Sequence, residues 1–200
     1  FPPGTELYLK PMFYCADGFL LPDADKTQFV LHVFKVPMPG DQGFSACFSS
    51  FARSWPNMAP TDAKASCLYP NGQRAIREAA EKGFDNAIML DGAGNIAEFA
   101  TSNLWIAKDG VVSTPVDNGT FLNGITRRRV LALLQADGVE VQERSLTRAD
   151  VESADEVFSS GNYGKVVHVN RVEDRVLEYG PLARRAHKLY MDYAESTGKK

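Results

Sequence analysis

Apolar and polar residues alternate over short runs along most of this chain, and longer helical periods break in at only a few places. Residues 5–14 (TELYLKPMFY) and 28–36 (QFVLHVFKV) carry the aromatic and apolar content of strands. Between them, residues 16–26 (ADGFLLPDADK) supply Gly, Pro and Asp, which predicts a linker and a domain boundary. Residues 43–52 again predict a strand, and 54–60 (SWPNMAP) a loop, since each proline fixes φ and removes a donor. The spacing of Ala75, Ile76, Ala79 and Ala80 predicts a helix over 71–82, opened by Pro70 and stopped by Gly83. Residues 86–90, 96–107 and 111–114 predict three strands, the last two joined by a turn at Asp109-Gly110. A helix is predicted over 125–136, with Val130, Leu131, Leu133 and Leu134 turned inward. Strands at 139–146, 156–159 and 165–172, a short helix capped by Thr147 and Asp150, and a helix from Pro181 to Met191 complete the pattern.

Strands outnumber helices, and several are hairpin-linked. The expected fold is therefore α+β: a largely antiparallel mixed sheet with helices packed outside. Residues 1–15 would be the last strand of a small N-terminal domain, 16–26 the linker, and 27–200 a large domain.

Composition narrows the chemistry. The formal net charge of −3 and a single basic run, Arg127-Arg128-Arg129, exclude a dedicated nucleic-acid binder. No stretch approaches the roughly 20 apolar residues of a membrane span. Cys15, Cys47 and Cys67 lack metal-ligand spacing and read as free thiols in a reducing cytoplasm. His32, His168 and His187 are scattered, so no metal site is expected. The chain opens on Phe1-Pro2-Pro3 without a signal pattern, the start expected of a piece cut from a longer chain.

Four features carry chemistry. Lys64 leaves a proline-rich loop among small residues, where burial would lower its pKa and free the amine as nucleophile or base. Glu98 is flanked by apolar residues on a strand read as interior, and a buried carboxylate needs a cationic partner. Asn123-Gly124-Ile125-Thr126 opens a helix, whose first-turn amides and threonine hydroxyl suit an anion. Residues 159–164 (SSGNYG) form a polar turn that could aim several amides at one point. Taken alone, three have a commoner structural reading (a surface lysine, an ordinary helix start capped by Asn123, a plain loop), and for Glu98 an outward carboxylate fits the pattern equally well.

Taken in order, with Tyr69 just after the lysine, the set resembles the class IV (fold type IV) aminotransferases, and most of all the branched-chain amino-acid group. The resemblance is carried by residues 60–65 (PTDAKA), 98–104, 122–127 (LNGITR) and 154–158 (ADEVF). It implies a pseudo-barrel large domain, pyridoxal 5′-phosphate as cofactor, and transfer of an amino group from an amino acid or amine to a 2-oxo acid. It further implies Lys64 as the Schiff-base lysine, and Tyr69 as hydrogen-bond partner of the cofactor's phenolic oxygen. Glu98 would pair with the pyridine nitrogen. Gly124, Ile125 and Thr126 would bind the phosphate. Asn162 and Tyr163 would serve phosphate and substrate carboxylate, Tyr8 would line the substrate pocket, and a homodimer or higher homo-oligomer would be the working unit. Most of the family's small N-terminal domain would precede Phe1. Lys10, Phe99 and Asn162 stand where the branched-chain enzymes usually carry Arg, Gly and Thr, and Cys67-Leu68 replaces a small, polar pair. These departures leave the donor open between branched-chain and aromatic amino acids and primary amines. An aminodeoxychorismate lyase or D-amino-acid transaminase of the same fold, or a non-catalytic relative, is the alternative.

Overall fold

The computed structural model describes residues 1–198 and divides into two compact units, residues 1–39 and 40–200. In the first unit, β1 (Leu7–Cys15) and β2 (Thr27–Lys35) form an antiparallel hairpin in unbroken register. Tyr8 faces Phe34 and Phe13 faces Phe29, with ring centroids 5.4 and 5.1 Å apart, the cross-strand pairs that stabilise such a ribbon. The stretch 16–26 is the connection of this hairpin, not a linker, and the division falls after Pro39. Gly, Pro and Asp serve hairpin connections and linkers alike, and only the pairing partner tells them apart.

The second unit runs β3 (Phe44–Phe48), α1 (Tyr69–Glu81), β4 (Asn86–Leu90), β5 (Ile96–Phe99), β6 (Asn103–Lys108), β7 (Val111–Pro115) and α2 (Ile125–Ala136). It continues with β8 (Val141–Arg144), α3 (Arg148–Glu152), β9 (Glu156–Gly161), β10 (Lys165–Val172), β11 (Arg175–Val176) and α4 (Pro181–Gly198). Their strands form one sheet in the order β5-β4-β3-β10-β9-β6-β7-β8, with β11 appended to β10. Contacts β3–β4, β3–β10 and β7–β8 are parallel and the others antiparallel, which is the mixed sheet expected. The sheet curls: Ile96 N at one end of the order donates to Leu146 O, just past β8 at the other, over 2.7 Å.

Local chemistry explains the turns. Asp109 and Gly110 both take positive φ (50° and 83°), the geometry of the tight hairpin turn between β6 and β7. Thr147 and Asp150 form a reciprocal capping box on α3. The single strand expected over 96–107 is two. The chain doubles back at residues 100–102, where Phe99 N donates to Ser102 O, so that β5 pairs with β4 and β6 with β9. The strand expected over 43–52 stops at Phe48.

Burial follows the two-residue period of the strands. Leu104 and Ile106 of β6 point into the curl with Ile88, Phe99, Val157 and Val169. Trp105 and Ala107 point the other way, against Val130 and Leu134 of α2 and Ala183 and Ala186 of α4. Cys47, Ala87 and Met89 likewise meet Ala75 and Ala79 of α1. Each large side chain so buried contributes about 1.5–3 kcal/mol, so the sheet is fixed from both faces and its strand ends are rigid supports.

Candidate active site

Glu98 lies on β5, 7% exposed, and Arg53 from the loop after β3 reaches it: Arg53 Nη2 stands 2.9 Å from Glu98 Oε1. Its second oxygen accepts from Asn103 Nδ2 at 3.2 Å. β5 ends the strand order, where an interior strand was expected, yet all four of its residues are buried. Burial pushes the Glu98 carboxyl up to about 7, against the Arg53 guanidinium and the Lys64 ammonium, which pull it down.

Asn103, the first residue of β6, is the junction. Besides Glu98 it donates to Leu122 O at 2.8 Å, three residues before α2 begins. Gly124 packs so closely on it that a Cβ there would fall 2.4 Å from Asn103 Oδ1. Asn103 also pairs with Ser160 on β9, and the next residue, Gly161, approaches Ser102 so that a Cβ would lie 3.2 Å from its side chain. Three predicted elements thereby converge: the carboxylate, the Gly-Ile-Thr helix start and the Ser-Gly-Asn turn.

At the helix start, Gly124 is the N-cap and no side chain hydrogen-bonds the first-turn amides of α2. The expected cap Asn123 instead accepts from Arg127 Nη1 at 2.9 Å. Arg127 is no solvated helix residue: at 1% exposure it also donates to Pro115 O and Glu143 Oε2, each at 2.7 Å. Its Nε has no hydrogen-bond partner. Thr126 is buried, and Ile125 is exposed at the helix tip. Asn162 is exposed and Tyr163 half-exposed, in the turn joining β9 to β10.

Lys64 lies in the turn before α1, with its Nζ 5.7 Å from the centre of the Tyr69 ring. The expected burial is not present: Lys64 is exposed, because Ala63, Ala65 and Ser66 around it are too small to cover an ammonium group. Tyr69, the first residue of α1, is 46% exposed. Tyr8 lies on β1 in the first unit, whereas all the other predicted residues lie in the second. A cavity of about 550 Å³ lined by Lys108, Asp155, Glu156, Glu178 and Arg185 shares no residue with this cluster.

Comparison with known proteins bears on this arrangement. The family described as Amino-transferase class IV matches residues 3–172. The chain belongs to the class IV aminotransferases. Among the relatives of this class IV chain, the branched-chain-amino-acid aminotransferase of Pseudomonas aeruginosa is 38% identical over 154 residues, covering 76% of this chain and 50% of the relative. That of Escherichia coli K12 is 33% identical over 199 residues, covering 93% and 64%. The chain thus spans less than two thirds of the length of these relatives. A crystal structure of an aminotransferase from Brucella abortus, bound to the cofactor PLP, superposes with a TM-score of 0.95 at 45% identity, over 98% of this chain and 71% of that one. The branched-chain enzyme of Escherichia coli superposes at 0.86 with 33% identity, over 93% and 65%.

Arg53 and Asn103 were not among the residues singled out in the sequence. Asn103 had a signal, a lone amide opening an otherwise apolar strand (Asn103-Leu104-Trp105-Ile106-Ala107). Arg53 had only its place between Phe51 and Trp55, in a loop whose apolar neighbours suggest contact with the core.

Proposed function

We propose that the protein carrying this chain is a pyridoxal-phosphate aminotransferase that moves an amino group from an amino acid, branched-chain or related, or from an amine, to a 2-oxo acid. The observation that carries the reading is the convergence on Asn103 of a buried carboxylate and a helix start without a side-chain cap, with Lys64, 5.7 Å from the Tyr69 ring centre, acting on the same carboxylate.

The donor set fits the cofactor. Free first-turn amides of a 12-residue helix, with the helix dipole behind them, suit a phosphate; Ile125 and Thr126 would supply amide and hydroxyl beside Gly124. A carboxylate has about four acceptor positions, and Arg53 and Asn103 occupy two, so Glu98 has room to accept a ring N–H. Asn162 and Tyr163 would serve the phosphate and the substrate carboxylate, and Tyr8 the substrate.

Bound there, the cofactor supplies a carbonyl that condenses with amines and a ring that draws electrons from the α-carbon. The chain supplies the rest. Lys64 Nζ would anchor it, take the proton from the donor's α-carbon and return one at the cofactor's C4′. Tyr69 would donate its hydroxyl to the phenolic oxygen. Glu98 would accept the ring N–H and so keep the ring an electron sink. Over two half-reactions an amino-acid donor would leave as a 2-oxo acid, or an amine donor as an aldehyde or ketone, and the acceptor would leave as an amino acid.

The test is spectroscopic. The protein should be yellow, with an absorbance band that Lys64→Ala abolishes, and a panel of donors against 2-oxoglutarate and pyruvate should return the amino acid of the acceptor. A colourless protein that takes up no pyridoxal phosphate would sink the reading. Pyruvate released from aminodeoxychorismate would favour the lyase alternative, and D-amino acids as sole donors the D-transaminase. We further propose a homodimer in a reducing cytoplasm; three unpaired cysteines support the compartment, and no described helix is long and apolar enough to cross a membrane.

A further inference from the structure

Arg53 is held in place from three directions. Its N donates to Leu90 O at 2.8 Å, its Nε to Thr120 O at 3.4 Å, and its Nη2 meets Glu98. Thr120 is itself anchored. Asp91, buried, accepts from Asn118 Nδ2 at 2.8 Å, and Asn118 Oδ1 accepts from the Thr120 hydroxyl at 2.6 Å. The loop carrying Arg53 is wedged as well: a Cβ on Gly92 would fall 2.3 Å from Trp55 Nε1, and one on Gly119 would fall 2.9 Å from Pro56 Cγ. Two glycines therefore let two turns close on this loop, and the guanidinium at its start has one orientation.

Such construction exceeds what an incidental ion pair needs. The charged groups acting on Glu98 are Arg53 and Lys64, with the Asn103 amide as neutral donor. Lys64 is exposed and its amine is committed to chemistry under the reading above, whereas a guanidinium stays charged throughout. The permanent counter-charge is Arg53.

We propose that Arg53 is a positioning residue that holds the Glu98 carboxylate as an anion aimed at the cofactor's ring nitrogen, so that the proton between them resides on the ring. This rests on the pyridoxal-phosphate reading. A proton shared by a carboxylate and a pyridine goes to the more basic partner, and a cation 2.9 Å from the carboxylate lowers the basicity of that side. Without Arg53 the buried acid would take the proton back and leave the ring neutral, a weaker electron sink.

The experiment reads the proton directly. The intact protein is loaded with pyridoxal phosphate labelled with nitrogen-15 in the ring, and the ring resonance is followed from pH 6 to 9. Arg53→Gln keeps a donor for Glu98 without the charge, Arg53→Met removes both, and Arg53→Lys keeps the charge. Wild type and Arg53→Lys should show the pyridinium position. Arg53→Gln and Arg53→Met should move toward neutral pyridine already at pH 6, because the more basic carboxyl then holds the shared proton. Glu98→Gln should abolish the pyridinium signal, and adding Arg53→Gln should change nothing more. A folded Arg53→Gln protein that binds the cofactor and keeps the wild-type resonance over this range overturns the assignment. Wild type that takes up no labelled cofactor overturns the underlying reading instead, so the two failures are distinct.

Discussion

Replacing Glu98 with glutamine removes one titrating group and leaves a side chain of nearly the same shape, so its effect on stability should change with pH in a calculable way. Unfolded, the carboxyl titrates near 4.5; folded, burial raises it to about 7. Below about pH 4.5 the group is protonated in both states and contributes no pH dependence. As pH rises toward 7 the unfolded state ionises first, so the folded state holds the extra proton and stability falls. A difference of about 2.5 units at about 1.4 kcal/mol each amounts to about 3.5 kcal/mol lost between pH 4.5 and 7, and the loss levels off above. Glu78 and Asp150, held down to about 2 by their hydrogen bonds, add stability as pH rises from about 2 to 4.5, but they are common to both proteins and cancel. Urea unfolding of the cofactor-free proteins at half-unit steps from pH 4 to 8 supplies the comparison. The variant should gain about 3.5 kcal/mol on the wild type across that interval, on top of a constant offset from its altered contact with Arg53. A gap between the two that stays constant within about 0.5 kcal/mol would mean that Glu98 is ionised throughout, and that Arg53 outweighs burial already in the empty site.

Two further outcomes follow from geometry. Gly124→Ala puts a methyl group where Asn103 Oδ1 stands, at an ordinary φ of −59°, so the backbone accepts it but the amide must turn away from Leu122 O. Its unfolding free energy should fall by about 1–3 kcal/mol, and fluorescence titration should show pyridoxal phosphate binding weakened by about tenfold. Glu156, buried on β9, accepts from Leu182 N and Ala183 N at 3.1 and 2.8 Å and so caps α4. Glu156→Ala should lower stability by about 2 kcal/mol in urea unfolding while leaving cofactor affinity unchanged.

What was legible in the sequence was what neighbours in the chain decide. The limits of α2 were read at 125–136 because apolar spacing and a glycine on each side are local signals, and the capping box on α3 was read for the same reason. The break at residues 100–102 was not, since Ala100-Thr101-Ser102 contains neither Gly nor Pro and reverses only because β5 and β6 find different partners. The arginine partner of Glu98 was hidden for a similar reason. A buried carboxylate announces that it needs a cation, but which of the 22 lysines and arginines arrives depends on how two distant turns close. Lys64 shows the reverse case, for its company suggested a role while the burial expected from its small neighbours is absent.

Asn103 gives the site a fixed gauge. Its amide nitrogen has two hydrogens and both are committed, one toward the carboxylate and one toward the peptide that leads into α2. The place where a ring nitrogen would end and the place where a phosphate would begin are thus spaced by a single planar group, not by two loops free to drift apart. Substitutions in the surrounding loops can reshape what a substrate meets while that spacing stays the same. A site built in this way measures the length of its cofactor with one side chain, and aspartate, the same shape without the hydrogens, would leave it without a scale.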